Sequence, residues 1–193
     1  MENLIEALWT LQERLRNAGI PSAVVGGVAL SLWGEPRATR DVDVRILLNR
    51  DEAHRLLSVL ADEYVLLADD PLETLQKMGF LFVQDRAGVR IDLLLADTVF
   101  DREVVQRARP VEIAPGKVMQ VCRAEDLLIY KLISTRPRDY EDAASIVHRQ
   151  GDALDDGYIE HWLRQFEQAL DDSTLLEEYR RLRSESPIRK ERP

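Results

Sequence analysis

The chain has one cysteine, Cys122, among 193 residues. An internal disulfide is therefore excluded, and a reducing compartment, the cytoplasm, is the expected setting. Cys122 closes the apolar stretch that begins at Met119 and reads as a small buried hydrophobe on a strand. Long apolar runs are also missing. No segment approaches the ~18 residues of a membrane span, and the N-terminus shows no basic region leading into an apolar core, so neither an anchor nor a signal peptide is expected. An excess of positive charge is absent: Lys and Arg number 26 against 35 Asp and Glu, a net charge of −9. That argues against non-specific attraction of nucleic acid to the whole surface, though not against a local basic patch. The three histidines, His54, His148 and His161, have no zinc-site spacing. Internal repeats and low-complexity segments are not found, apart from a charged C-terminus.

What is present is ordinary globular composition, 45% apolar and 32% charged. The length is enough to bury a core without a disulfide or structural metal. Leu4, Leu8, Leu11 and Leu15 recur at helical spacing up to a stop at Gly19 and Pro21. Ser22–Val25 reads as a buried strand, Gly26-Gly27 breaks it, and Val28–Trp33 reads as a short helix. Val42–Leu48 follows as a strand, and Asp51–Asp62 as a helix. Asp70-Pro71 opens another helix as N-cap and first residue, with Gly79 as its stop. Phe80–Gln84 and Val89–Leu95 flank the turn Asp85–Gly88, predicting a hairpin, and Thr98–Arg109 reads as a helix. A second hairpin is predicted about Pro115-Gly116. Beyond it the chain reads as helical: Ala124–Ser134, Asp139–Arg149, Asp155–Leu170 and Thr174–Arg183. The predicted organisation is a mixed α/β core over 1–122, a helical region over 123–183 and a charged, flexible tail over 184–193. From Tyr179 onward six basic residues stand against two acidic ones, as in a solvated tail or a contact for a phosphate-rich acceptor.

The chemistry concentrates between Val24 and Val44. Glycines at 26 and 27 allow a sharp turn and a close backbone approach, and the free amides of the helix they open can receive a phosphate. Asp41 and Asp43, two apart on a strand, share a face with Cα atoms roughly 6–7 Å apart. Paired carboxylates repel unless a cation joins them, and magnesium suits a few carboxylates plus substrate phosphates. Asp92 sits alone in the apolar strand Val89–Leu95, where burial without a partner is costly. Arg90 or Arg45 could satisfy it as an ion pair. If its strand lies beside Val42–Leu48, three carboxylates meet at one end of a sheet. Trp33 fills core or lines a base pocket.

The run Gly26-Gly27, Ala29, Gly34, Arg37, Thr39, Asp41-Val42-Asp43 resembles the signature of the DNA-polymerase-β-type nucleotidyltransferase superfamily, in particular the bacterial abortive-infection toxins of type IV toxin–antitoxin systems. Arg90–Leu94, Asp126–Leu132 and Arg138–Asp142 continue the resemblance, which covers about residues 20–150. It implies an α/β (α+β) nucleotidyltransferase fold, a mixed sheet flanked by helices and followed by a helical region. It implies transfer of a nucleoside monophosphate from a triphosphate such as ATP to an acceptor hydroxyl, with release of pyrophosphate. Two Mg²⁺ ions would be held by Asp41, Asp43 and Asp92, with Asp92 nearest the acceptor. Gly26 and Gly27 would meet the triphosphate, Arg37 and Thr39 would shape the loop, and Lys131 and, with it, Asp139 would lie at the nucleotide. Many members carry Gly-Ser where this chain has Gly26-Gly27, so backbone amides would replace a serine hydroxyl. Lys131 also fits a lysine at the edge of a core, and Asp139 a helix cap. The acceptor is a tRNA end, a protein or a small molecule, and a cognate antitoxin is the implied partner. The alternative is a non-catalytic nucleotide-binding or antitoxin-like module that retains the fold.

Overall fold

The computed structural model describes residues 2–39, 41–134 and 136–185. Three of the six basic residues of the C-terminus, Arg189, Lys190 and Arg192, lie outside the described residues. Helix α1 (Glu2–Asn17) buries Leu8, Leu11 and Leu15 completely, and Gly19 turns the chain at φ +67°. β1 (Ser22–Val25) is buried throughout, and α2 (Gly26–Trp33) follows without a gap. β2 (Asp41–Ile46) leads through a 3₁₀ turn to α3 (Ala53–Leu60), the two-residue β3 (Val65–Leu66) and α4 (Pro71–Met78).

Local chemistry sets the ends of α4. The Asp70 carboxylate accepts from the Glu73 amide, and Gly79 closes the helix in the left-handed conformation at φ +73°. β4 (Phe80–Gln84) and β5 (Arg90–Leu95) form the expected hairpin. Its turn is held by the Asp85 carboxylate, which accepts from the Ala87 and Val89 amides. α5 (Val99–Arg107) starts in a capping box between Thr98 and Asp101. The second hairpin, β6 (Arg109–Ala114) with β7 (Lys117–Val121), completes the sheet.

Among the described residues the sheet has seven strands in the order β3-β4-β5-β2-β1-β7-β6. It is mixed: β2 runs parallel to β5 and β1 parallel to β7, whereas β1–β2, β3–β4, β4–β5 and β6–β7 are antiparallel. One face is apolar across the centre, with Val42, Val44, Ile46, Leu81, Val83, Ile91, Leu93 and Leu95 all buried. The alternate positions Asp43, Arg45, Phe80, Phe82, Asp92 and Leu94 are half-buried on the other face. α5 covers one end of that second face. There Ala23, Ala96 and Val105 pack together, and Arg45 ion-pairs with Asp101 at 3.3 Å.

The helical part comprises α6 (Ala124–Leu132), α7 (Pro137–Gln150), α8 (Asp156–Leu170) and α9 (Leu175–Glu185). The chain divides into two compact units. One holds the sheet, with residues up to Val28 and Ala38–Cys122. The other holds Ala29–Arg37 and the chain from Arg123 onward. In the second unit Gly34 lies so close to Ser145 and Ile146 that a β-carbon there would overlap them, and the Gln150 side chain donates to the Trp33 carbonyl at 2.7 Å. No helix among the described residues is long and apolar enough to cross a membrane.

Candidate active site

Strand register places the acidic residues. Asp43 on β2 stands directly opposite Asp92 on β5. Directly opposed residues of neighbouring strands point to the same face, and the strands are roughly 4.8 Å apart. On the other side of β2, Asp43 is opposite Val25, the last residue of β1. The next residue is Gly26. A glycine turn, Asp43 and Asp92 therefore lie in one row across three strands. Asp41 opens β2 and pairs with Arg90 along the backbone. The Asp41 side chain lies outside the description, as does Arg40.

Both glycines are dictated by contact. Gly26 has φ +62°, and a β-carbon on it would fall into the Asp43 carboxylate, 2.6 Å from Cγ. A β-carbon on Gly27 would lie 2.7 Å from Thr39 Oγ1 and 2.8 Å from Thr39 Cβ. The hydroxyl that a serine would bring at 27 is thus excluded by a threonine that brings its own. α2 begins at Gly26, two residues earlier than the sequence pattern suggested, so the glycine amides belong to the first turn of the helix, where amides have no partner within the helix. Gly26→Ala is expected to cost at least roughly 1–2 kcal/mol from the left-handed backbone alone and to push Asp43 aside. Thermal unfolding should report it.

Asp92 is partnered. Its side chain is 16% exposed, and Arg90 Nε donates to its Oδ1 at 2.7 Å. Asp92 thus has a guanidinium beside it, which offsets its charge. Among the described residues no cluster of three or more metal-ligating side chains is found. The described carboxylates Asp43 and Asp92, opposed in register, fit a divalent cation of the hard, oxygen-preferring kind, with Asp41 two residues along the same strand.

The other residues singled out in the sequence lie in the second unit and are engaged with one another. Lys131 is buried at 6% exposure, and its ammonium donates to Asp139 at 2.5 Å and Asp142 at 2.8 Å. Arg37 makes a two-pronged contact with Asp142, Nε to Oδ1 and Nη2 to Oδ2, each 2.9 Å. Asp139 also accepts from Ser134 and Arg136. The resemblance implies Lys131 at the nucleotide and Arg37 in the loop before the carboxylates; both donate to Asp142 here. Asp139 is not the helix cap: α7 starts at Pro137, and Asp139 lies in its first turn with its side chain drawn to Lys131. Asp142, the hub of the cluster, was not singled out by itself. Its sequence signal was its place three residues after Asp139, on the same helix face.

Burial pushes the pKa values of Asp139 and Asp142 up, but hydrogen bonds and charge from Lys131, with Ser134 and Arg136 on Asp139 and Arg37 on Asp142, outweigh it. Both stay below the ordinary value of 3.8. A depressed carboxylate stabilises the fold above its unfolded pKa and loses that contribution as pH falls through the folded value. Stability is therefore expected to decline as pH falls below about 4. The double variant Asp139→Asn/Asp142→Asn, less stable at neutral pH, should show a shallower decline in chemical denaturation.

Residues 4–183 match the family described as nucleotidyl transferase of unknown function (DUF2204). The chain belongs to this family. Its fold is shared with solved nucleotidyltransferases. The antigenic nucleotidyltransferase-like protein from Paracoccidioides brasiliensis is 17% identical over 91% of this chain and 93% of that one, with a TM-score of 0.54. The antibiotic-resistance factor ANT(2'')-Ia is 11% identical over 88% of this chain and 96% of that one, with a TM-score of 0.58. The same enzyme in complex with adenylyl-2''-tobramycin gives 0.57 at 11% identity, over 86% and 98% of the two chains. Comparison with curated protein sequences finds no significant match. At these identities the structural likeness establishes the nucleotidyltransferase fold, and the family match establishes the transferase class. Of the sequence-assigned residues, this family's fold brings Gly26, Gly27, Thr39, Asp43 and Asp92 together in the sheet unit. It brings Arg37, Lys131 and Asp139 together in the helical unit.

Proposed function

We propose that this nucleotidyltransferase moves a nucleoside monophosphate from a nucleoside triphosphate, ATP first among those to test, to an acceptor hydroxyl in a magnesium-dependent reaction. The observation that carries the reading is the row Gly26–Asp43–Asp92, fixed by strand register. The triphosphate lies at the glycine turn, where the opening amides of α2 receive its oxygens and the Thr39 hydroxyl sits beside Gly27. Asp41, Asp43 and Asp92 would hold two Mg²⁺ ions, which, when bound, supply charge neutralisation at the triphosphate and a lowered pKa at the attacking hydroxyl. Asp92, at the end of the row away from the glycines, takes the hydroxyl proton. The acceptor oxygen attacks the α-phosphorus, the bond to the bridging oxygen breaks, and pyrophosphate leaves from the glycine side. The Lys131–Asp139–Asp142–Arg37 cluster serves the helical unit as a folding element.

The test uses the intact protein, Mg²⁺, each α-labelled triphosphate in turn, and tRNA, protein lysate or small hydroxylated compounds as acceptors. Label should move to one acceptor class with stoichiometric pyrophosphate, and chelation of the metal should stop it. Triphosphate binding without transfer to any acceptor would instead support a non-catalytic module. Transfer to a tRNA end would extend the reading to the toxin of a toxin–antitoxin pair, expected to arrest growth on expression until the neighbouring antitoxin is supplied.

A further inference from the structure

The acidic row continues onto one more strand. Phe82 on β4 stands directly opposite Asp92, so Val25 (with Gly26 beyond it), Asp43, Asp92 and Phe82 form one line across β1, β2, β5 and β4. Three strand spacings separate its ends, roughly 14 Å. Phe82 is half-buried on the carboxylate face and has Phe80 beside it, ring centroids 5.0 Å apart. The Arg90 guanidinium lies over the Phe82 ring, 4.3 Å from its centroid, while it donates to Asp92. Its side chain is 47% exposed.

We infer that Phe82 and Arg90 form the acceptor side of the site and receive a terminal nucleotide, its base on the Phe82 ring and its phosphate at Arg90. The inference rests on the proposed transferase reading, which puts the triphosphate at the opposite, glycine end of the row. A phenylalanine ring beside a reactive carboxylate offers a flat apolar surface with no hydrogen-bonding preference, suited to stacking. An arginine whose guanidinium already lies over that ring can pair with a phosphate through its fork. With a divalent cation at the carboxylates, Asp92 no longer needs Arg90 as its counter-charge, and the guanidinium is released to the ligand. A polycationic acceptor finds a like charge at Arg90 instead. The net charge of −9 gives the surface as a whole no general attraction for a tract of nucleic acid. A base at Phe82 leaves its ribose hydroxyls near Asp92, where the proton is taken.

The test measures binding rather than turnover. Wild type, Phe82→Leu, Phe82→Tyr and Arg90→Ala are saturated with Mg²⁺ and a non-hydrolysable ATP analogue. Each is then titrated with three probes: AMP, a labelled CCA trinucleotide ending in a 3'-deoxyribose, and tobramycin. Phe82→Leu and Arg90→Ala should each weaken the nucleotide probes about ten-fold, within the range of one base stack or one phosphate contact. Phe82→Tyr should stay within two-fold. Arg90→Ala should also reduce the salt dependence of trinucleotide binding by about 0.7 in the logarithmic slope. AMP binding as tightly as the trinucleotide identifies a free nucleotide as the source. A clear preference for the trinucleotide identifies an RNA end. The inference is overturned if the wild type binds neither nucleotide, if the variants bind them as wild type does, or if only tobramycin binds. In those cases an ATP analogue that still needs Mg²⁺ leaves the transferase reading standing, whereas an analogue that fails to bind removes both.

Discussion

Asp43→Asn should reduce nucleotidyl transfer by on the order of a thousand-fold while the protein remains folded. Asp43 is the centre of the row, opposed to Val25 on one side and Asp92 on the other, with Gly26 packed on its carboxylate. The amide is nearly the same size, so the packing against Gly26 survives. On the proposed reading, what would be lost is a negative ligand to the metal, and metal stabilisation of the transition state is worth several kcal/mol, each 1.36 kcal/mol being ten-fold in rate. Steady-state transfer with saturating Mg²⁺ checks the size of the effect, and an unchanged thermal midpoint checks the fold. A variant that keeps wild-type rate would remove Asp43 from the chemistry.

The second large effect is on stability. Lys131→Met should cost about 3–5 kcal/mol, because two buried carboxylates lose their shared cation. Asp139 and Asp142 are 3% and 5% exposed, and the cations left to them each reach one carboxylate alone, Arg37 on Asp142 and the largely exposed Arg136 on Asp139. For a protein of this size the thermal midpoint should fall by about 2–4 °C per kcal/mol. Removing one buried charge with Asp139→Asn in the same chain should recover part of the loss, since Asp139 is otherwise left with only the exposed Arg136 and Ser134. A Lys131→Met protein as stable as wild type would show that the cluster contributes no net stability.

Elements fixed by neighbouring residues were legible in the sequence. Asp70-Pro71 with Gly79 and the Asp85–Gly88 turn both act within a few positions. So did the same-face relation of Arg90 and Asp92, two residues apart on a strand. The sheet order was not legible, because pairing β2 with β5 rather than with its sequence neighbours depends on tertiary packing of long-range segments. Nor was the grouping of Ala29–Arg37 with the helical unit, which follows from contacts such as Arg37 with Asp142, 105 residues apart. α2 was read two residues short because glycine signals a break, whereas here its lack of a β-carbon is what lets the helix start against Asp43 and Thr39. Phe82 carried only the alternation Phe80-x-Phe82; its place beside Asp92 appears once the hairpin register is known. The pairing of Lys131 with Asp142, which stands on another helix, was not legible either.

The most direct measurement is anomalous diffraction from crystals grown with Mn²⁺ and a non-hydrolysable triphosphate. The expected result is manganese density bound by Asp43 and Asp92, at about 2.1 Å from their oxygens as for a hard divalent ion, with the triphosphate running toward Gly26. Density at any other carboxylate cluster, or a triphosphate bound away from the Gly26–Asp43–Asp92 row, would contradict the assignment of the active site.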